Sequence, residues 1–268
     1  MEWEQFARGI KLSETLIQKI QEIMISEEKY REIKQMYLQK HEDFFQYELS
    51  QENPEMNFLA VYCRMACDTY AEYRKAGIED DIFWATFGDI NLWCENYYRE
   101  YGKYGLGAYD WIYRHIDMTL FRLGRLQFEQ MEMEYEVGKK PCSLEKGRKV
   151  INIHIPQGEA LSWKECEKSL TMAFERYGTG SPYVCHSWLL YPGLKEVLDE
   201  KSRILQFQKH FCIQETDYKE REAEWRIFGK VQRNIETYPE RTSLQIHAKQ
   251  YLLEGKSLGN GWGVLIWS

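Results

Sequence analysis

Leu120-Phe-Arg-Leu-Gly-Arg-Leu-Gln-Phe-Glu129 is the stretch at which the chain changes character. Before it, apolar residues recur at helical spacing. After it they alternate as strand residues do and are interleaved with capped helices, an order that excludes an all-helical fold and predicts a helical half followed by a mixed α/β half. Phe121 and Leu123 share one strand phase and Leu126 and Phe128 the opposite one, so an extra residue or a turn must lie between them, and Gly124 is its natural place. Met131, Met133, Tyr135 and Val137 return to the first phase.

Working upstream, Leu12, Leu16, Ile17, Ile20, Ile23 and Met24 form one apolar stripe of an amphipathic helix. A second helix is expected from about Glu27 to Lys40, with Tyr30, Ile33 and Tyr37 on one side. Asn53-Pro54 reads as a cap followed by proline at the first helical position, opening a helix that runs through Leu59, Cys63, Ala66, Cys67 and Tyr70 to Gly77. Asp80 or Asp81 is expected to cap the next, whose Phe83, Phe87, Ile90, Trp93, Cys94 and Tyr97 repeat until Gly102, and a short helix over Tyr109 to Met118 closes the half. The helical domain is therefore placed at residues 1 to about 119 and the α/β domain at 120 to 268.

Downstream, residues 138 to 149 read as a polar loop and Val150 to Ile155 as a strand ending at Pro156. Ser162-Trp-Lys-Glu165 has the form of a capping box, so a helix should run from there to about Tyr177. Tyr183 to Leu190 is expected as a strand, Gly193 to Asp199 as a short helix, and Arg203 to Gln214 and Glu224 to Lys230 as two further strands. Thr242-Ser-Leu-Gln245 is a second capping box, opening a helix that ends at Gly255, and Gly259-Asn-Gly-Trp-Gly-Val-Leu-Ile-Trp267 reads as a turn and a final strand.

Composition narrows the function classes. Thirty-five basic against 42 acidic residues give a net charge of -7, so the chain lacks the basic balance of a protein that neutralises many phosphates, and nucleic acid is not an expected partner. The seven cysteines (Cys63, Cys67, Cys94, Cys142, Cys166, Cys185 and Cys212) are odd in number and contain no CxxC pair, which suggests reduced thiols and neither a disulfide framework nor a zinc site. Met1-Glu-Trp-Glu-Gln-Phe6 lacks the order of a signal peptide, and no apolar run is long enough for a membrane span, so a soluble cytoplasmic protein without a membrane partner is expected. Nine Trp, 19 Tyr and 12 Phe would fill a core and its rim or, in the sharper reading, wall a substrate cleft.

The stretch from Phe121 to Glu129, with Ile153-His-Ile-Pro156, Ser187-Trp-Leu-Leu-Tyr-Pro192, Ile227-Phe-Gly229 and Thr242-Ser-Leu-Gln245 in this order and spacing, resembles bacterial acyltransferases. Those proteins join a helical N-acyltransferase N-terminal domain to a C-terminal domain related to the Gcn5-type N-acetyltransferases (GNAT). The resemblance covers most of the chain. It implies transfer of an acyl group from acyl-CoA to an amine or hydroxyl of a small-molecule or peptide acceptor. It also implies a central strand leading through a loop into a helix whose backbone amides hold the CoA pyrophosphate. Here these would be Ile151 to Ile155, the loop carrying Gln157 and Gly158, and the helix opened by Ser162. A helix N-terminus suits an anion, since it offers free N–H groups and about half a positive charge. The family's loop has a Gln or Arg followed by two closely spaced glycines, whereas this one has Gly158 alone, with Glu159 beside it disfavouring phosphate unless it points away. That departure supports the rival reading, a non-catalytic binding or scaffold protein on the same fold.

His154 is the general-base candidate, since imidazole titrates near neutrality and this strand should face the cleft; the plainer alternative is a hydrogen-bonded structural histidine. Tyr191 stands where several Gcn5-type enzymes place a tyrosine that protonates the leaving thiolate, its alternative being an aromatic packed before Pro192. In Cys185-His186-Ser187, strand neighbours point to opposite faces, so His186 does not serve either nucleophile. Glu129 with Arg125 could bind a polar substrate or form a buried pair, and a structural ion pair at the domain junction is the favoured reading. Gly255-Lys-Ser257 follows a helix and has Gln250 where a phosphate-binding loop needs glycine, so it is not one. Cys63 and Cys67 lie one helical turn apart with no histidine nearby in sequence, and no metal is expected.

Overall fold

The computed structural model describes residues 1–23, 25–138, 143–218 and 221–266. The expectations placed on Met24, Cys142 and Trp267 lie outside them. The chain forms two compact units, Met1–Arg122 and Leu123–Ser268.

Up to Ile116 the elements of the first unit are helices: α1 Trp3–Gly9, α2 Glu14–Glu22, α3 Glu27–Gln39, α4 His41–Leu49, α5 Pro54–Lys75, α6 Asp80–Tyr101 and α7 Tyr109–Ile116. Serines start α2 and α3, where Ser13 Oγ accepts from Leu16 N and Ser26 Oγ from Lys29 N. Pro54 is at the first position of α5 as expected, but Asn53, at φ 53 and ψ 56, makes no side-chain cap. Glu79, and neither aspartate, occupies the cap position of α6; Asp80 and Asp81 lie in its first turn, where their charge still suits the helix dipole. The short helices α1 and α4 were not expected. A single extended residue, Lys40 (φ -164), separates α4 from α3.

Aromatic rings build this core. Phe6, Phe44, Phe58, Phe83 and Phe87 are fully buried, each adding about 2 kcal/mol by burial. Phe58 stacks on Tyr109 at 4.2 Å, and Phe6 meets Phe87 edge-on at 5.7 Å. Buried tyrosines keep their hydroxyls satisfied: Tyr37 donates to Asp117 Oδ1 at 2.5 Å and Tyr62 to the Tyr109 carbonyl at 2.8 Å. In this unit the aromatic residues fill the core and its rim, with Tyr98 and Tyr101 left exposed on α6.

A mixed sheet starts with β1 Leu120–Leu123 at the unit boundary and continues in the second unit with β2 Leu126–Glu132, β3 Lys149–His154, β4 Tyr183–Ser187, β5 Phe211–Asp217 and β6 Asn260–Leu265, in the order β1-β2-β3-β4-β6-β5. With it are α8 Trp163–Tyr177, α9 Arg203–Gln208, α10 Glu222–Phe228 and α11 Ser243–Leu253. β3 and β4 are parallel, joined through α8, while β2/β3, β4/β6 and β5/β6 are antiparallel. Gly124 makes the first turn at φ 67, and a Cβ there would come within 2.9 Å of Ser169 Oγ.

Several expected elements differ. Arg203 to Gln208 is helical, started by Ser202 Oγ accepting from Ile204 N, and the strand begins only at Phe211. Residues 222 to 228 are also helical, held by an Arg226–Glu222 pair one turn apart and ended by Gly229 at φ 81. β4 stops at Ser187 and gives way to a 3₁₀ turn over Trp188–Leu190. β2 ends at Glu132, beyond which Val137 meets Leu144 in an isolated bridge. Ser162 stands at the cap position of α8 without a side-chain cap bond, so the expected box is not formed. Thr242 does cap α11, its Oγ1 accepting from Gln245 N at 3.2 Å.

Register sorts the sheet into two faces. Phe128 opposes Ile153, Ile151 neighbours Tyr183, and Cys185 follows in phase, giving an apolar face toward α8; there the Tyr183 hydroxyl donates to the carbonyls of Ala173 and Gly178. The other face carries Gln127, Glu129, Asn152, His154, His186, Trp262 and Asn260 beside a small apolar cluster of Val150, Val184, Met133 and Val137. β6 lies between β4 and β5, and its glycines let the 3₁₀ turn approach closely: a Cβ on Gly261 would meet the Leu190 carbonyl at 2.3 Å.

Candidate active site

The parallel pair separates. β3 and β4 are paired only at Ile151↔Tyr183 and Asn152↔Val184, while β3 continues to His154 and β4 to Ser187. Beyond Asn152 and Val184 their facing edges lack ladder bonds to each other, which leaves backbone donors and acceptors for an extended amide-bearing ligand.

On the polar face at this split, His154 Nε2 lies 2.9 Å from Glu129 Oε2 and 3.2 Å from Asn152 Nδ2. The carboxylate favours a proton on Nε2, which makes Nδ1 the basic nitrogen. The side chains of His154 and Glu129 remain 21% and 12% exposed, so the pair is sheltered yet reachable. A second histidine–carboxylate pair lies on the same face: His186 Nε2 is 2.6 Å from Asp217 Oδ2, and its ring stacks on Trp262 at 4.7 Å and 18°. Gln127 Nε2, Asn152 Oδ1, Asn260 Oδ1 and Trp262 Nε1 are buried there without hydrogen-bond partners. Each such atom costs about 1–3 kcal/mol, and their concentration on one face marks a surface suited to polar ligand or water contacts.

The loop from β3 to α8 is organised by Arg125. Its guanidinium, buried at the β1–β2 turn, donates to the carbonyls of Pro156 (2.9 Å), Glu159 (2.8 Å) and Ala160 (3.3 Å). Ser169 Oγ accepts from Arg125 N at 2.7 Å and ties the turn to α8. Gln157 and Gly158 are exposed, and Gly158 sits at φ 107 with open space where a Cβ would be. Glu159 is exposed as well. With no side-chain cap at Ser162, and with Glu165 N already donating to the Ser162 carbonyl, the amides of Trp163 and Lys164 are the first-turn donors suited to an anion.

Tyr191 is placed differently. Its hydroxyl donates to the Ser257 carbonyl at 2.9 Å and touches the hydroxyls of Tyr251 (3.2 Å) and Tyr218 (3.4 Å), inside a core with Leu194, Val197 and Phe228. Burial, then hydrogen bonding to Tyr218 and Tyr251, holds this phenol well above its ordinary range. Burial likewise pushes the Cys185 thiol far above its usual value, on the apolar face away from His186. Among the described residues no group of three or more His, Cys, Asp or Glu is placed to hold a metal ion. A cavity of about 680 Å³ in the helical unit is lined among others by Asp68, engaged by Tyr30 and Lys34, and by Arg64, engaged by the Ile25 carbonyl and Glu27.

Sequence reasoning singled out His154 and the loop but not the partners beside them, because Glu129, Arg125 and Asp217 lie 25, 31 and 31 residues from the groups they hold. Strand phase was the available signal. Gln127 and Glu129 alternate in step on β2, and so do Asn152 and His154 on β3.

A mixed sheet with a split parallel pair, joined through a helix whose N-terminal turn is uncapped, is the architecture of a GNAT-like transferase domain. Residues 120–265 match the GNAT-like C-terminal domain and residues 1–118 the N-acyltransferase N-terminal domain, and the chain belongs to the acyltransferase family that these two domains define. No curated protein matches it. Among solved structures, it is similar to an acyltransferase in complex with decanoyl-CoA and teicoplanin, at 20% identity and TM-score 0.78 over 98% of this chain and 87% of that one. It is also similar to an acyltransferase in complex with CoA and 10C-teicoplanin, at 20% identity and TM-score 0.77 over 100% of this chain and 88% of that one. These likenesses are of fold.

Proposed function

We propose that this protein transfers an acyl group from acyl-CoA to an amine or hydroxyl of a small-molecule or peptide acceptor. The observation that carries the reading is the split between β3 and β4 with the His154–Glu129 pair on its polar face. The backbone amides of Gln157, Gly158 and the first turn of α8 would hold the pyrophosphate, and buried Arg125 fixes the loop while adding positive charge behind it. Acyl-CoA supplies an activated thioester. Glu129 orients the imidazole, and His154 takes the acceptor proton as attack proceeds, within a complex that holds both partners in line. Tyr191, expected as the acid, has its proton on the Ser257 carbonyl, and we assign it to holding the turn before β6. The solved acyltransferases with decanoyl-CoA and CoA support acyl-CoA as co-substrate, and those with teicoplanin a small-molecule or peptide acceptor.

A cytoplasmic site of action and a domain boundary at residue 119/120 belong to the same reading. No helix among the described residues is long and apolar enough to cross a membrane. Calorimetry with acetyl-CoA, decanoyl-CoA and free CoA, followed by thiol release with a panel of amines and alcohols, tests it. Absence of heat with all three ligands rejects it. Binding with no turnover favours the scaffold reading, whose support is the single glycine of the loop.

A further inference from the structure

The last paired position across the split is Asn152↔Val184. Two residues further along each strand, on the same face and in the same register, stand His154 on β3 and His186 on β4. Each is backed by a carboxylate from the strand on its outer side or beyond: Glu129 on β2, and Asp217 on β5 across β6. The two histidine–carboxylate pairs thus flank the opening at one level. His186 is the better defined of the two, because Asp217 holds Nε2 and the Trp262 ring fixes the imidazole plane, while Nδ1 has no hydrogen-bond partner among the described residues. The side chain is 32% exposed, so Nδ1 belongs to a group that meets solvent.

We infer that His186 is the proton donor to the leaving thiolate, with Asp217 as its positioning residue. This rests on the acyl-transfer reading above and gives the acid role to a side chain other than Tyr191. The nitrogen–carbon bond forms as the carbon–sulfur bond breaks; the acceptor proton passes to His154, the electron pair of the broken bond stays on sulfur, and the imidazolium of His186 supplies the proton that makes the free thiol. Proton exchange with water then resets both histidines. Asp217 Oδ2, 2.6 Å from Nε2, holds the ring that carries the proton, which is what a positioned acid beside a thiolate requires. The titratable groups on this face around His186 are Asp217 and Glu215 on β5, His154 on β3, and Tyr135, whose ring meets Trp262 at 6.3 Å; its neighbours on β6, Asn260 and Trp262, are neutral.

The test reads the thiol of bound CoA, so it needs no acceptor. Ultraviolet absorbance of the thiolate, followed against pH with free CoA on the wild type, His186→Gln, Asp217→Asn and His154→Gln, gives the thiol's titration midpoint in each complex, with calorimetry at pH 6 confirming binding. The expected result is a midpoint in the wild type at least about one pH unit below that of free CoA, from the adjacent imidazolium. It should return toward the free value in His186→Gln, move partway in Asp217→Asn, and stay low in His154→Gln. A midpoint that is equal in wild type and both β4–β5 variants overturns this assignment alone. Failure of the wild type to bind CoA overturns the acyl-transfer reading and this one with it.

Discussion

Arg125 Nη2 donates to the carbonyl oxygen of Glu159 at 2.8 Å. The acidic residue that the loop's sequence sets against a phosphate is therefore tied through its backbone to a buried cation, with its side chain among exposed residues. Arg125→Ala leaves the three loop carbonyls without their donor. It should cost about 3 kcal/mol in urea unfolding, and weaken CoA binding by roughly tenfold or more in calorimetry at temperatures where the variant remains folded. Arg125→Lys, a point charge in place of a fork, should recover only part of both.

Gly158 has φ 107, a conformation that L side chains rarely adopt, although its surroundings are open. Gly158→Ala should therefore destabilise by strain alone, about 1–2 kcal/mol, and lower CoA affinity as the loop relaxes. Thermal unfolding with and without CoA separates the two effects. An unchanged melting temperature together with unchanged affinity would remove the loop from the site.

His154→Gln should reduce turnover by roughly 10²–10⁴-fold at pH values where the base is unprotonated, and leave CoA affinity nearly intact. Glu129→Gln should act in the same direction, because the imidazole loses the carboxylate that sets its tautomer. Steady-state rates over pH 5–9 with a fixed acyl-CoA check both. If His154→Gln lowers only the melting temperature, the histidine is structural.

Tyr191→Phe removes the donor to the Ser257 carbonyl and should lower stability by about 1–2 kcal/mol. Turnover per folded molecule should stay within a few-fold. A loss of 10²-fold at unchanged CoA affinity would restore Tyr191 as the acid.

In the helical unit, burial raises the Glu48 carboxyl to about 7, and its Oε1 has no hydrogen-bond partner. Between the ordinary value of 4.5 and about 7, the folded protein then binds more protons than the unfolded chain. Stability contributed by this group is present below pH 4.5 and is lost as pH rises through 7. Glu48→Gln should accordingly raise the melting temperature at pH 8 more than at pH 5, as scanning calorimetry at the two pH values will show.

The helical half and the phase change at Gly124 were legible because long apolar stripes and a turn glycine are local signals. Residues 203–208 and 222–228 were misread as strands because short apolar runs suit either period. Ser202 ahead of the first, and the Glu222/Arg226 spacing with Gly229 after the second, carried the helical information. Ser162 shows the converse, since a capping sequence specifies a helix start without ensuring that the hydroxyl makes the bond. The site was half legible. His154 and the loop could be placed by chain order, whereas Arg125, Glu129 and Asp217 reach their partners through strand pairing and turns that no local pattern reports.

β6 is the latest strand in sequence among the described residues, yet it occupies an interior position, between β4 and β5. Synthesis proceeds from the N-terminus, so β4 and β5 leave the ribosome with the slot between them vacant. Until Asn260–Leu265 arrives, the β4 edge carrying His186 and the β5 edge carrying Asp217 have no strand to bridge them. Assembly of the His186–Asp217 pair must therefore be a late event in the life of the nascent chain, after the helical unit has had time to collapse around its own rings.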